Sequence, residues 1–194
     1  VIDFVNLDLP PGKPTLHEVL AGKATVGSAV YAAPGGFDVI PSGMELDGYV
    51  TAEPKAIGQV VELLRRKYDV VLLDTGAGVS HETVLPLAIA DATILVSTPR
   101  LASVRDTRKT KDLAQRVGGT VGGIVFTKSG TGKAPGVDRI AEFLDADLLG
   151  HVPENEAVPA SQDVGLPVTE YDPSSGAAKA YTGIGKQVDA LMTG

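Results

Sequence analysis

An α/β fold with a mostly parallel, doubly wound sheet is what this sequence predicts, and three observations predict it. Short apolar runs rich in β-branched residues recur along the chain. They are apolar on both faces, as strands covered by helices on each side must be. Longer stretches with helical apolar spacing separate them, and such alternation builds a parallel sheet with crossover helices.

The elements follow in order. Ile57, Val60, Val61 and Leu64 fall at i, i+3, i+4 and i+7 after Pro54, a favoured first helical residue, and Arg65–Lys67 suit the negative end of the helix dipole. Val70–Leu73 then reads as a buried strand, as do Thr93–Ser97, Gly123–Thr127 and Leu148–Val152. Helices are predicted over His81–Ala90, Ala102–Val117 and Val137–Leu144 in the gaps. A last helix over Ser175–Leu191 follows Pro173, with Tyr181, Ile184, Val188 and Leu191 on one stripe. That stripe is expected to pack on the sheet. Membrane contact is the lesser alternative, because Lys179 and Lys186 are too few for an interfacial helix's basic face.

Composition narrows the function classes. The 194 residues fit a single domain spanning residues 1–194. A net charge of −7 argues against a chain built to grip nucleic acid. The absence of cysteine excludes disulfides, thiolate-held iron–sulfur clusters and a cysteine nucleophile. No apolar run reaches the roughly 18 residues that span a bilayer, so a cytoplasmic location is expected. His17, His81 and His151 have no metal-binding spacing.

The segment Val70-Val71-Leu72-Leu73-Asp74-Thr75-Gly76-Ala77-Gly78 carries the sharpest chemical signal. Four apolar residues deliver Asp74 to the carboxyl end of a strand, the edge at which open α/β sheets bind ligands. A carboxylate there suits the water shell of Mg²⁺, and Gly76 and Gly78 would let backbone amides approach a phosphate. The alternative is that Asp74 caps the helix that follows.

Asp74-Thr75-Gly76-Ala77-Gly78 resembles the second switch of MinD/ParA ATPases. Val96-Ser97-Thr98-Pro99-Arg100 with Ala102–Asp106 resembles their next strand-to-helix junction. Gly150-His151-Val152-Pro153-Glu154, continued by Val158, Ala160, Gly165, Pro167 and Val168, resembles the loop beside the nucleotide base. Pro14–Leu20 with Gly35–Gly43 is similar to the MinD branch of that family. The resemblance runs in order from about Pro14 to the end of the chain. It implies a P-loop NTPase sheet lacking its first strand and helix, ATP and Mg²⁺ as ligands, and an ATP-dependent dimer across the nucleotide face. A role in cell-division-site or spatial positioning is implied too, with peripheral association at the inner face of the cell membrane as a weaker implication. On this reading Asp74 is the catalytic carboxylate and reaches Mg²⁺ through water. Gly76 and Gly78 serve the switch, and Thr127, Pro153 and Glu154 border the base.

Two departures qualify the resemblance. No K-G-G-x-G-K-T loop precedes Val1, and no methionine opens the chain, so the sequence is expected to be part of a longer one and inactive as an ATPase by itself. Thr127 stands where many relatives place an adenine-reading Asn. Lys128-Ser129-Gly130-Thr131-Gly132-Lys133-Ala134 imitates the phosphate loop superficially, but Ser129 and Ala134 sit where a glycine and a hydroxyl are needed, and it is read as a flexible connector.

A different class of function stays open, a non-catalytic subunit that binds an intact relative or partner. Arg100, Arg105, Arg108, Lys109 and Lys111 would carry that docking, unless they form an ordinary solvated helix face.

Overall fold

A computed structural model describes residues 12–42, 56–76, 81–130 and 136–193. Pro54, Gly78 and residues 131–134 lie outside them, as does the helix start predicted at Pro54. The chain divides into two compact units, 1–74 with 162–167, and 75–161 with 168–194.

In the first unit, helix α1 (Leu16–Leu20) opens with a capping box, Thr15 and Glu18 each satisfying the other's backbone. A 3₁₀ turn (Val26–Ala29) leads to an antiparallel hairpin of β1 (Tyr31–Ala33) and β2 (Phe37–Val39), with Gly35 and Gly36 at positive φ in the turn. The Leu16 amide donates to the Pro41 carbonyl at 2.7 Å, and the Tyr31 hydroxyl to the Pro14 carbonyl at 2.7 Å, tying hairpin to helix. Helix α2 (Ile57–Arg65) buries Val60 and Val61, as its spacing predicts.

Among the described residues, the strand predicted at Val70–Leu73 has no ladder partner. Residues 70–76 join no ladder, and Val70 and Leu72 keep 44% and 79% of their surface exposed. The reason is physical: apolar residues make a strand only when a neighbour satisfies their amides and carbonyls. Among the described residues none does.

The second unit holds the parallel sheet. Helix α3 (His81–Ile89) precedes β3 (Thr93–Ser97), α4 (Leu101–Arg116), β4 (Val121–Ser129), α5 (Val137–Leu144) and β5 (Leu148–Pro153). Short helix α6 (Ala157–Asp163), which belongs to this unit as far as Ser161, and α7 (Val168–Tyr171) come next, then α8 (Gly176–Thr193). The order β3-β4-β5 is parallel throughout, which confirms the predicted fold class. Helix α4 ends in paired backbone bonds, Gly118 to Gln115 and Gly119 to Ala114. One core packs Leu95, Ile124 and Phe126 against Val104 of α4 and Val137, Ala141 and Leu144 of α5. On Val152, a second cluster gathers Val168, Ala177, Ala180 and Ile184. So α8 packs on the sheet through Ala177, Ala180 and, from the predicted stripe, Ile184, whereas Tyr181 and Leu191 of that stripe keep 38% and 45% of their surface exposed.

Strands β4 and β5 carry two opposed irregularities. Ile124 pairs with Leu148 but Val125 with Gly150, so Leu149 is an extra residue on β5. Phe126 pairs with His151 and Ser129 with Pro153, so β4 then carries an extra residue, and Lys128 there has φ +52°. The second shift undoes the first.

Candidate functional site

A cleft of about 750 Å³ opens beyond the carboxyl ends of β4 and β5, lined by Gly130, Glu154, Asn155, Glu156, Ala157, Asp172 and Ser175. That volume lies within the range of small-molecule sites, roughly 300–1,000 Å³. Parallel topology accounts for its place, because both strands deliver their next residue to the same edge.

Three loops build it, and two of them are fixed by helix caps. The Asn155 side-chain oxygen accepts from the Ala157 amide at 2.9 Å, starting α6. The Ser175 hydroxyl accepts from the Ala178 amide at 3.1 Å and donates to the Asp172 carbonyl at 2.8 Å, starting α8. Asp172 accepts from the Ser174 amide at 3.1 Å and hydroxyl at 2.7 Å. The Ser174 hydroxyl bond, first, holds the Asp172 carboxyl below its ordinary pKa of 3.8, and backbone bonds from Ser174 and Ser175 act in the same direction. Asn155 and Asp172 are therefore occupied. Glu154 and Glu156 are the exposed carboxylates of the rim.

The third loop is fixed by its backbone. The Glu154 amide donates to the Ser129 carbonyl at 2.8 Å, so the residue after β5 is hydrogen-bonded to the last residue of β4. Of the predicted base-bordering residues, Glu154 lines the cleft, Pro153 ends β5 half-buried beside it, and Thr127 is half-buried in β4 without lining it. Gly130, Asn155, Glu156, Asp172 and Ser175 were missed. The capping patterns of Asn155 and Ser175 were the available signal.

Asp74 is an exposed residue of the first unit, outside any regular element. Gly76 is exposed and accepts the Thr83 hydroxyl on its carbonyl at 3.4 Å. Among the described residues no group of three His, Cys, Asp or Glu could hold a metal. Mg²⁺ keeps much of its shell as water and phosphate oxygens, so its site does not require such a group.

The basic residues of α4 divide in a way their sequence order did not anticipate. Arg100, Arg105, Arg108 and Lys109 are exposed. Arg108 stacks 5.1 Å from the ring of Phe143, itself exposed on α5, and Lys109 pairs with Asp106 at 3.1 Å. Lys111 is 7% exposed and cannot belong to a docking face. Its ammonium donates to the Leu144 and Asp145 carbonyls, each at 2.6 Å. Between β3 and α4, buried Ser97 and Thr107 form a hydroxyl cluster with Ser103, whose Oγ also accepts the Thr98 amide at 3.0 Å. This pins the junction leading to Arg100.

No family model matches the chain. An uncharacterized ATP-binding protein of Methanocaldococcus jannaschii is 34% identical over 184 residues, covering 92% of this chain and 70% of that protein. A second from the same organism is 34% identical over 170 residues, with 87% and 65% covered. The chain thus spans about two-thirds of the length of these curated relatives. Among solved structures, the cell division ATPase MinD of Pyrococcus furiosus superposes with a TM-score of 0.86 at 27% identity, covering 95% of this chain and 78% of that one. The septum site-determining protein MinD of Pyrococcus horikoshii, complexed with Mg-ADP, gives 0.86 at 26%, with 97% and 77% covered.

Proposed function

Because this chain belongs to the MinD/ParA family of P-loop ATPases, we propose that it is a MinD-like ATP-binding protein that works as an ATP–Mg²⁺-dependent dimer switch in cell-division-site or spatial positioning. The observation that carries this reading is the cleft at the carboxyl ends of β4 and β5, walled by Gly130 and Glu154. It has room for a nucleoside and lies at the sheet edge where ligands of open α/β folds bind.

In this reading the nucleotide's base enters the cleft. Asn155 and Ser175, held as caps, fix the loops that line it, and Glu154 and Glu156 offer acceptors at the rim. Thr127 and Pro153 support the strand ends behind it. Bound Mg²⁺ would supply charge neutralisation at the phosphates. Asp74 would hold one of its waters, and Gly76, with Gly78, would let the following backbone approach the phosphates. Homodimerisation would use the nucleotide face, and a protein partner would dock on the ridge of Arg105, Arg108 and Phe143. Among the described residues no helix is long and apolar enough to cross a membrane. We further propose a cytoplasmic, at most peripheral, location, and the net charge of −7 disfavours nucleic acid as a partner.

Titration of the whole chain with a fluorescent ATP analogue and Mg²⁺ tests the reading. Saturable binding competed by free adenosine is expected, and Asp74→Asn should weaken its dependence on Mg²⁺ while sparing competition by adenosine. No saturation at millimolar nucleotide overturns it.

A further inference from the structure

The geometry points to Ser129 and His151 as positioning residues that set the width of the base cleft without lining it, an inference that rests on the nucleotide reading above.

The argument begins with Pro153. It pairs with Ser129 at the end of the parallel ladder but has no amide proton to give. The extra residue on β4 just before Ser129 disrupts the ladder further. Side chains restore what the backbone lacks. His151 and Pro153 stand two apart on β5 and share a face, so their partners Phe126 and Ser129 share one too, although three apart in sequence. In an unbulged strand Ser129 would point the other way. Instead it is wholly buried, with its hydroxyl 3.0 Å from the Val152 carbonyl and 3.0 Å from His151 Nδ1.

A hydroxyl has one proton. With Ser129 donating to the Val152 carbonyl, His151 must carry its proton on Nδ1 and donate to Ser129 Oγ. The Ser129 carbonyl meanwhile accepts the Glu154 amide at 2.8 Å. Three bonds thus clamp the tips of β4 and β5 together. The very next residues, Gly130 and Glu154, are walls of the cleft. Lys128, in a backbone conformation that side chains seldom adopt, is the cost of turning Ser129 inward.

Three full-length variants test this: Ser129→Ala removes the hydroxyl, His151→Phe removes the ring donor, and His151→Asn keeps an N–H near the position of Nδ1. Amide hydrogen exchange and adenosine affinity are read together, with Leu95 and Ile124 as core references. The expected result is faster exchange at the Glu154 amide and roughly tenfold weaker adenosine binding in S129A and H151F, the loss of about one hydrogen bond. H151N should recover most of both, and Leu95 and Ile124 should exchange as before. In the unaltered chain, the ¹⁵N shifts of His151 should report a proton on Nδ1. Unchanged adenosine affinity in S129A overturns the inference, as does H151N performing no better than H151F, or a core that loosens in step with Glu154. If the unaltered chain binds no adenosine, the nucleotide reading itself falls and this inference with it; binding that all three variants retain removes the inference alone.

Discussion

The ammonium of Lys111 on α4 lies 2.6 Å from the carbonyl oxygen of Asp145, just past the end of α5. The Leu144 carbonyl takes a second bond at 2.6 Å, and the Asp145 carboxylate a third contact at 3.1 Å. One buried cation therefore satisfies carbonyls at a helix C-terminus, where both hydrogen bonding and the dipole favour it.

Lys111→Met keeps the stem's packing but leaves those carbonyls without their donor. It is expected to cost about 1–3 kcal/mol, read from urea unfolding. Asp145→Asn should cost under about 1 kcal/mol, because the carboxylate side chain is 96% exposed and such ion pairs are worth little. Equal losses in the two variants would show that the ion pair, not the carbonyl bonds, matters.

Two glycines of the sheet are close-approach positions of different kinds. At Gly123 (φ +148°) a Cβ would stand 2.6 Å from Leu149 Cγ and 2.8 Å from the Asp147 backbone oxygen. At Gly150 (φ +155°) it would meet the Ile184 side chain at 2.7 Å. Both alanine variants should lose stability, by about 1–3 kcal/mol from the clash alone. Trimming Ile184 to Ala should relieve G150A, so the double variant costs less than the two singles combined. Trimming Leu149 should relieve G123A far less, since the Asp147 backbone stays in place. Double-mutant cycles on thermal unfolding measure both.

The depressed Asp172 carboxyl sets a pH dependence for the cleft. A carboxylate whose folded pKa is lowered contributes above its unfolded pKa, and that contribution is lost as pH falls through the folded value, here below 3.8. The start of α8 should therefore loosen only in strongly acidic solution. Ser174→Ala, which removes the leading cause, should move the Asp172 midpoint up toward 3.8 in a carboxyl NMR titration. A midpoint that does not move would mean the hydroxyl bond does not form in solution.

The exposed pair Arg108 and Phe143 should matter little to folding. Phe143→Ala is expected to cost about 0.5–1 kcal/mol in chemical denaturation, the usual size of an exposed cation–π contact. A larger loss would place Phe143 in the core rather than on a docking ridge.

Much of the parallel sheet was legible because its strands carry their own signature. Thr93–Ser97 and Val137–Leu144 match their predicted bounds, since β-branched runs and helical spacing are local properties. Val70–Leu73 has the composition of a buried strand yet joins no ladder among the described residues, because a ladder needs a neighbour and composition does not supply one. The hairpin Tyr31–Val39 was overlooked although Pro34-Gly35-Gly36 marks its turn. Lys111 was placed with the exposed cations by proximity in sequence, yet Val104, Thr107, Lys111 and Ala114 follow the three-then-four spacing of one helix face, and all four are buried. The cleft was the least legible part. Glu154 came from a resemblance, whereas the residues around it come from three separate loops that only the fold brings together.

The paired irregularities of β4 and β5 also constrain how this sheet can change over evolutionary time. Deleting Lys128 alone would swing Ser129 to the opposite side of the sheet, and deleting Leu149 alone would shift every later pairing on β5. Removing both leaves the strand tips level, so a change of length at one place keeps the tips in register only when the other changes with it.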